Sequence, residues 1–129
     1  MTDLFKIYNK TLKELIDIIS NELSEDELVS TFKRKYIAAV STDNTILLTE
    51  SGKELFEYRD YIAEDKWDEL INKEWTNDIK SNEDKKSIQH IISSLRGIWS
   101  DYDDEEKNHI KKLIKTLLST YAKYLIQQT

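Results

Sequence analysis

The sequence predicts an all-α fold, and three observations carry that prediction. The 129 residues contain no proline and only two glycines, Gly52 and Gly97. Loop-rich and β-rich folds need both residue types at turns. Apolar residues recur at spacings of 3 and 4 along most of the chain, the period of a helix with one buried face. Polar clusters able to cap helices separate these stretches. The expected architecture is a compact bundle of about five to six helices, a single domain over residues 1–129, with an irregular middle segment around 44–62.

The first helix is expected from Asp3 to Glu22, with Phe5, Tyr8, Leu12, Leu15 and Ile19 on one stripe that Ile16 and Leu23 widen. Leu4, Ile7 and Ile18 fall outside that stripe and face either a second neighbour or solvent. Ser24-Glu25-Asp26-Glu27 reads as a capping box, because the Ser24 hydroxyl and the Glu27 carboxylate can satisfy each other's backbone amides. It starts a second helix whose apolar face is Leu28, Val29, Phe32, Tyr36 and Val40, and which ends at Ser41-Thr42-Asp43-Asn44.

The middle is the least regular part. Ile46-Leu47-Leu48 is a short apolar run, read here as non-strand because no partner strand is available. Ser51-Gly52-Lys53-Glu54 is placed at the cap of a short helix carrying Leu55, Phe56 and Tyr58. A further helix from Glu64 to Trp75 carries Trp67, Leu70 and Ile71 at helical spacing. Residues 76–84 read as a loop, and Ser81-Asn82-Glu83-Asp84 as the start of a helix burying Ile88, Ile91, Ile92, Leu95, Ile98 and Trp99. Gly97 lies inside that pattern, a place where a neighbouring helix can approach closely. The last helix, Asp104 to Leu125, has the strongest pattern: Ile110, Leu113, Ile114, Leu117, Leu118, Tyr121, Tyr124 and Leu125. Its acidic start and basic body match the helix dipole.

Charge and composition exclude several classes. The chain has 19 basic and 25 acidic residues and a net charge of −6, a field that repels phosphate and anionic membranes. It has no cysteine, hence no disulfide framework and no thiolate metal site. The opening residues show no apolar leader segment and the chain no run of 18 apolar residues, so neither a secretory signal nor a membrane span is expected. No nucleophile elbow, phosphate-binding loop or dinucleotide fingerprint is present.

His90 and His109 lack the i, i+4 pairing of a helical zinc site and read as surface or edge imidazoles. Asp101, Asp103 and Glu105 alternate like the start of a calcium loop, but Glu106 and Lys112 stand where glycine and a carboxylate are required. The cluster therefore reads as an acidic helix start. Most of the 25 acids lie in runs flanked by lysine, and none stands alone in an apolar stretch, where a raised pKa is expected. No catalytic, cofactor-binding or metal-ligating residue is assigned.

Two sets of residues remain. Trp67, Trp75, Trp99, Tyr58, Tyr61 and Tyr102 sit near loops or helix ends. Core packing is the usual role of such aromatics, but they also anchor protein interfaces, and they are the candidate protein-interaction residues. Lys107, Lys111 and Lys115 share one helix face, with Lys112 beside them. They form the alternative, a phosphate-contacting stripe, against the plainer reading of a solvated face. Lys33-Arg34-Lys35 is a shorter cluster of the same kind.

The opening Phe5-Lys6-Ile7-Tyr8-Asn9-Lys10-Thr11-Leu12, with Leu15-Ile16 behind it, resembles the start of small uncharacterised helical proteins of large nucleocytoplasmic DNA viruses. Their order of elements matches Phe32 to Val40, Asn44 to Leu48, Trp67 to Trp75 and Ile88 to Leu125 here, although Glu22-Leu23-Ser24 stands where a Phe-Pro pair would end the first helix. The resemblance implies a viral context and carries over no activity and no site residue. The resulting expectation is a non-enzymatic protein-interaction or structural module of the infected cytoplasm or virion, with a protein partner or self-association, no membrane and no cofactor. Nucleic-acid binding through the last helix is the alternative.

Overall fold

A computed structural model describes residues 3–22, 27–43, 45–71 and 95–128. Six helices are defined there: α1 (Leu4–Glu22), α2 (Glu27–Thr42), α3 (Ile46–Phe56), α4 (Arg59–Ala63), α5 (Trp67–Ile71) and α6 (Asp104–Gln128). A 3-10 turn, Trp99–Asp101, precedes α6. Among the described residues there is no strand, and the fold is all-α. The capping box at Ser24, Trp75, the loop at 76–84, His90 and most of the helix expected from Ser81 lie outside the described residues.

Helix α1 is the hub. Its stripe of Leu4, Tyr8, Leu12, Leu15, Ile16 and Ile19 is buried, rotated slightly from the expected one so that Leu4 enters the core and Phe5 moves to its edge. Asp3 caps the helix by accepting from the Lys6 amide at 3.1 Å. Helix α6 runs antiparallel along α1: Phe5 meets Tyr124 edge-on at 5.7 Å, and Glu14 meets His109 at 3.2 Å near the other end. Asp103 caps α6 through the Glu106 amide at 2.8 Å.

Three contacts lock the remaining long helices. The Tyr36 hydroxyl on α2 donates to the Asn9 carbonyl of α1 at 2.6 Å. The Tyr8 hydroxyl of α1 reaches Ser51 Oγ on α3 at 2.7 Å. Gly52 on α3 lies against the Tyr121 ring of α6. Gly52, rather than Gly97, is therefore the close-approach glycine; Gly97 is exposed in the turn that follows helical Leu95 and Arg96.

The segment expected to be irregular is largely helical. Ile46-Leu47-Leu48 forms the first turn of α3, and Leu47, Leu48, Ser51, Gly52 and Leu55 make its buried side. Ser51 does not cap a helix there. Its hydroxyl bonds back to the Leu47 carbonyl within α3, the mid-helix option open to serine. Among the described residues of that segment, the positions outside helices are the turns at Thr45 and at Glu57–Tyr58.

The helix expected from Glu64 instead starts at Trp67. Asp65 adopts a left-handed backbone, φ 56°. The Lys66 amide donates to the Tyr61 carbonyl at 2.8 Å and the Asp65 amide to Ile62 at 3.3 Å. This pair is the Schellman ending of a helix, with aspartate where glycine is usual. It turns the chain between α4 and α5. Arg96 Nε donates to the Ile71 carbonyl of α5 at 3.1 Å.

Candidate functional site

The structure corrects the placement of the aromatic candidates. Tyr58, Trp67, Trp99 and Tyr102 are buried in the core, and Tyr61 is half-buried against it; Trp75 lies outside the described residues. Tyr58 stands just before α4, Trp67 opens α5, Trp99 opens the 3-10 turn and Tyr102 follows it. The Trp67 indole is satisfied within the fold, donating to Asp65 Oδ1 at 3.2 Å. These four residues expose little surface of their own.

The lysine candidates border the same rings. Lys107 Nζ stands 5.6 Å from the centre of the Trp99 ring and Lys111 Nζ 6.0 Å from that of Trp67. Lys115 Nζ lies 3.3 Å from Asp65 Oδ1. Lys112 is exposed. The i, i+4, i+8 face of α6 thus covers the aromatic end of the bundle, and three of its four cations have local partners. Such contacts are individually weak at the surface. Asp65 is held below the usual carboxylate range, first by the Trp67 hydrogen bond and then by Lys115.

Two grooves open along the α1–α6 seam. At the end where α1 begins, Leu4, Ile7 and Ile126, together with polar residues that include Thr120, Lys123 and Gln127, line a volume of about 360 Å³. Ile126 is 73% exposed. The other groove, about 300 Å³, is lined by Ile18, Tyr102, Glu105, Glu106, His109 and Ile110. Between its ends the seam runs about 30 Å along α6. Of the apolar residues left over in the sequence, Leu4 is buried, whereas Ile7 and Ile18 are partly exposed, one in each groove.

The Tyr102 hydroxyl is buried with no hydrogen-bond partner among the described residues. Burial raises its pKa to about 12, and the carboxylates of Glu22 and Glu106 act in the same direction. Such a hydroxyl has no signature in the sequence. Two further polar features were equally hidden. Glu54 is a buried carboxylate within α3, although Lys53 beside it gives the local sequence the look of a solvated face. Tyr8 and Ser51 meet across 43 positions.

Among the described residues no group of three or more His, Asp or Glu side chains could hold a metal ion. Asp103 spends its carboxylate on the α6 cap, and His109 meets Glu14. No described helix is long and apolar enough to cross a membrane. Fold and site define an all-α helical bundle with two grooves along the α1–α6 seam among the described residues. No protein-family model matches the chain, and neither does any curated protein or solved structure.

Proposed function

We propose that this chain is a non-enzymatic protein-interaction or structural module that engages a protein partner, or a second copy of itself, through the α1–α6 seam. The observation that carries this reading is Ile126, a large apolar side chain 73% exposed at the lip of the groove it shares with Ile7 and Leu4. Apolar surface grouped around a groove gains free energy when a partner covers it. The viral setting implied by the opening residues, and action in the infected cytoplasm or virion, belong to the same proposal.

Sedimentation velocity over a concentration series, together with affinity purification of the tagged chain from infected cells, tests it. A concentration-dependent dimer or one stable co-purifying protein is expected. Ile126→Asp should weaken that association at least tenfold and leave the helical content unchanged. A strictly monomeric species that recovers no partner overturns the reading.

Nucleic-acid binding has less support. Its basis is the spacing of Lys107, Lys111, Lys112 and Lys115, and a phosphate backbone would compete there with the Asp65 carboxylate for Lys115. Absence of binding to duplex and single-stranded probes at about 50 mM salt ends that reading.

A further inference from the structure

We propose that the partner at the α1–α6 seam is a second copy of this chain, packed antiparallel about a two-fold axis that crosses the seam at its middle, a step that rests on the interaction reading and commits it to one occupant. The seam carries opposite charge at its two ends. Where α1 begins, Lys123 lines the groove with Ile7 and Ile126, and Lys10 stands one turn from Ile7 on α1. Where α6 begins, Glu105 and Glu106 line the groove with Ile18, and Glu22 stands one turn from Ile18. All five charged side chains are exposed, and none forms an ion pair among the described residues. The opposite charge at each end is engaged within the chain: Asp3 accepts from the Lys6 amide, and His109 meets Glu14.

A face whose two halves complement each other matches itself when turned end over end, which is the requirement of a two-fold interface. The positions along the helices fit such an axis. Lys10 and Glu14 stand equally far from residue 12, and Ile7 and Ile18 nearly so; Lys123 and Glu105 stand equally far from residue 114. Residues 12 and 114 both lie between the Phe5–Tyr124 and Glu14–His109 contacts that align the two helices. Laying α1 on α1 and α6 on α6 in opposite directions therefore sets Lys123 against Glu105 of the second copy and Ile7 against Ile18 of the second copy, each pair occurring twice. An axis along the seam would instead bring the lysine ends together and the glutamate ends together. The glutamate half also repels a nucleic-acid backbone or an anionic bilayer laid along the same face. A strip about 30 Å long and two helices wide, about 20 Å, covers about 600 Å² per copy and about 1,200 Å² in total, the lower limit for a specific, stable interface.

The test is sedimentation velocity of the full chain at concentrations up to about 1 mM, with circular dichroism to verify that each variant keeps the wild-type helical content. A dimer is expected whose dissociation constant rises several-fold between about 0.05 and 0.5 M NaCl. Lys123→Glu alone and Glu105→Lys alone should each weaken it at least tenfold, because each sets like charges together at two symmetry-related contacts. An equimolar mixture of these two variants should recover the wild-type affinity, because their heterodimer opposes unlike charges at both contacts. Lys53→Glu, the same change of charge at an exposed position of α3, should leave the dimer as it is. A dimer that salt does not weaken, that neither reversal weakens, or that the mixture does not restore overturns the antiparallel arrangement. If Ile126→Asp still dissociates such a dimer, the seam remains the interaction surface; if it does not, both readings fall. A chain that stays monomeric also overturns the proposal, and the interaction reading then stands only on a different protein that co-purifies.

Discussion

Gly52 of α3 lies so close to Tyr121 of α6 that a β-carbon placed on it would sit 2.8 Å from the ring's Cγ. That separation is inside van der Waals contact, so the absence of a side chain at 52 lets α3 and α6 pack as they do. In an ordinary helix interior, glycine to alanine stabilises by about 0.5–1 kcal/mol. Here overpacking costs about 1–3 kcal/mol and wins. Gly52→Ala should therefore lower stability by about 1–2 kcal/mol in a urea titration. In a Tyr121→Ala background, where the ring is gone, the same change should become neutral or stabilising. A stabilising Gly52→Ala in the wild-type background would show that the two helices can separate freely.

The Tyr8–Ser51 contact makes an asymmetric prediction. Ser51 donates to Leu47 within α3, so Tyr8 donates to Ser51 Oγ at 2.7 Å. Tyr8→Phe leaves Ser51 with its carbonyl partner and should cost about 0.5–1.5 kcal/mol. Ser51→Ala strands the fully buried Tyr8 hydroxyl and should cost about 1–3 kcal/mol. The double variant should cost less than the sum of the two, because the stranded group is then absent. Chemical denaturation of the three variants checks this; additive losses would show that the two hydroxyls act independently.

How much of this was readable from sequence depends on what each feature needs. Helices α1 and α6 are long and strongly periodic, so their existence and most of their buried faces follow from spacing alone. Helix α3 was masked by Ser51-Gly52, which imitates a helix start, yet serine bonds backward to Leu47 and glycine makes room for Tyr121. The α4–α5 break was invisible because aspartate, not glycine, holds the left-handed position. The aromatic and lysine sets stand out in the sequence by residue type and spacing. Whether a tryptophan faces core or solvent, however, depends on residues some 40 positions away, as with Lys111 over Trp67. The groove beside Tyr102 brings together Ile18 from α1 and Glu105 from α6, 87 positions apart, and no local pattern encodes that.

Asp65 should rank its own substitutions. Its backbone φ of 56° suits glycine and asparagine best, while its carboxylate accepts from Trp67 and pairs with Lys115. Asp65→Asn keeps both the backbone tolerance and an acceptor for the indole, and should stay nearest to wild type. Asp65→Gly loses the acceptor but relieves the backbone. Asp65→Ala loses the acceptor and keeps the strain, so it should show the lowest melting temperature of the three. Lys115→Ala should matter less than Asp65→Ala, because both partners of that pair are exposed. Thermal melts of the four variants decide the order; an alanine variant as stable as asparagine would remove the argument from backbone conformation.

The tyrosines set the alkaline limit of the fold. Burial raises the pKa of Tyr8, Tyr36, Tyr102 and Tyr121 above the usual 10.0, that of Tyr102 to about 12. Each group holds its proton more tightly in the folded state than in the unfolded one. The associated stability is therefore complete below pH 10 and is lost as pH climbs through the folded values. Unfolding should be insensitive to these groups between pH 7 and about 9 and should set in steeply above about pH 10. Absorbance at 295 nm, which reports phenolate, should rise in two phases, the later one coinciding with loss of helical ellipticity at 222 nm. Tyr8→Phe should lower stability at neutral pH yet flatten the alkaline decline, because one proton-linked group has been removed. A single phenolate phase near pH 10 that precedes any loss of helicity would mean that these hydroxyls are open to water in the folded chain.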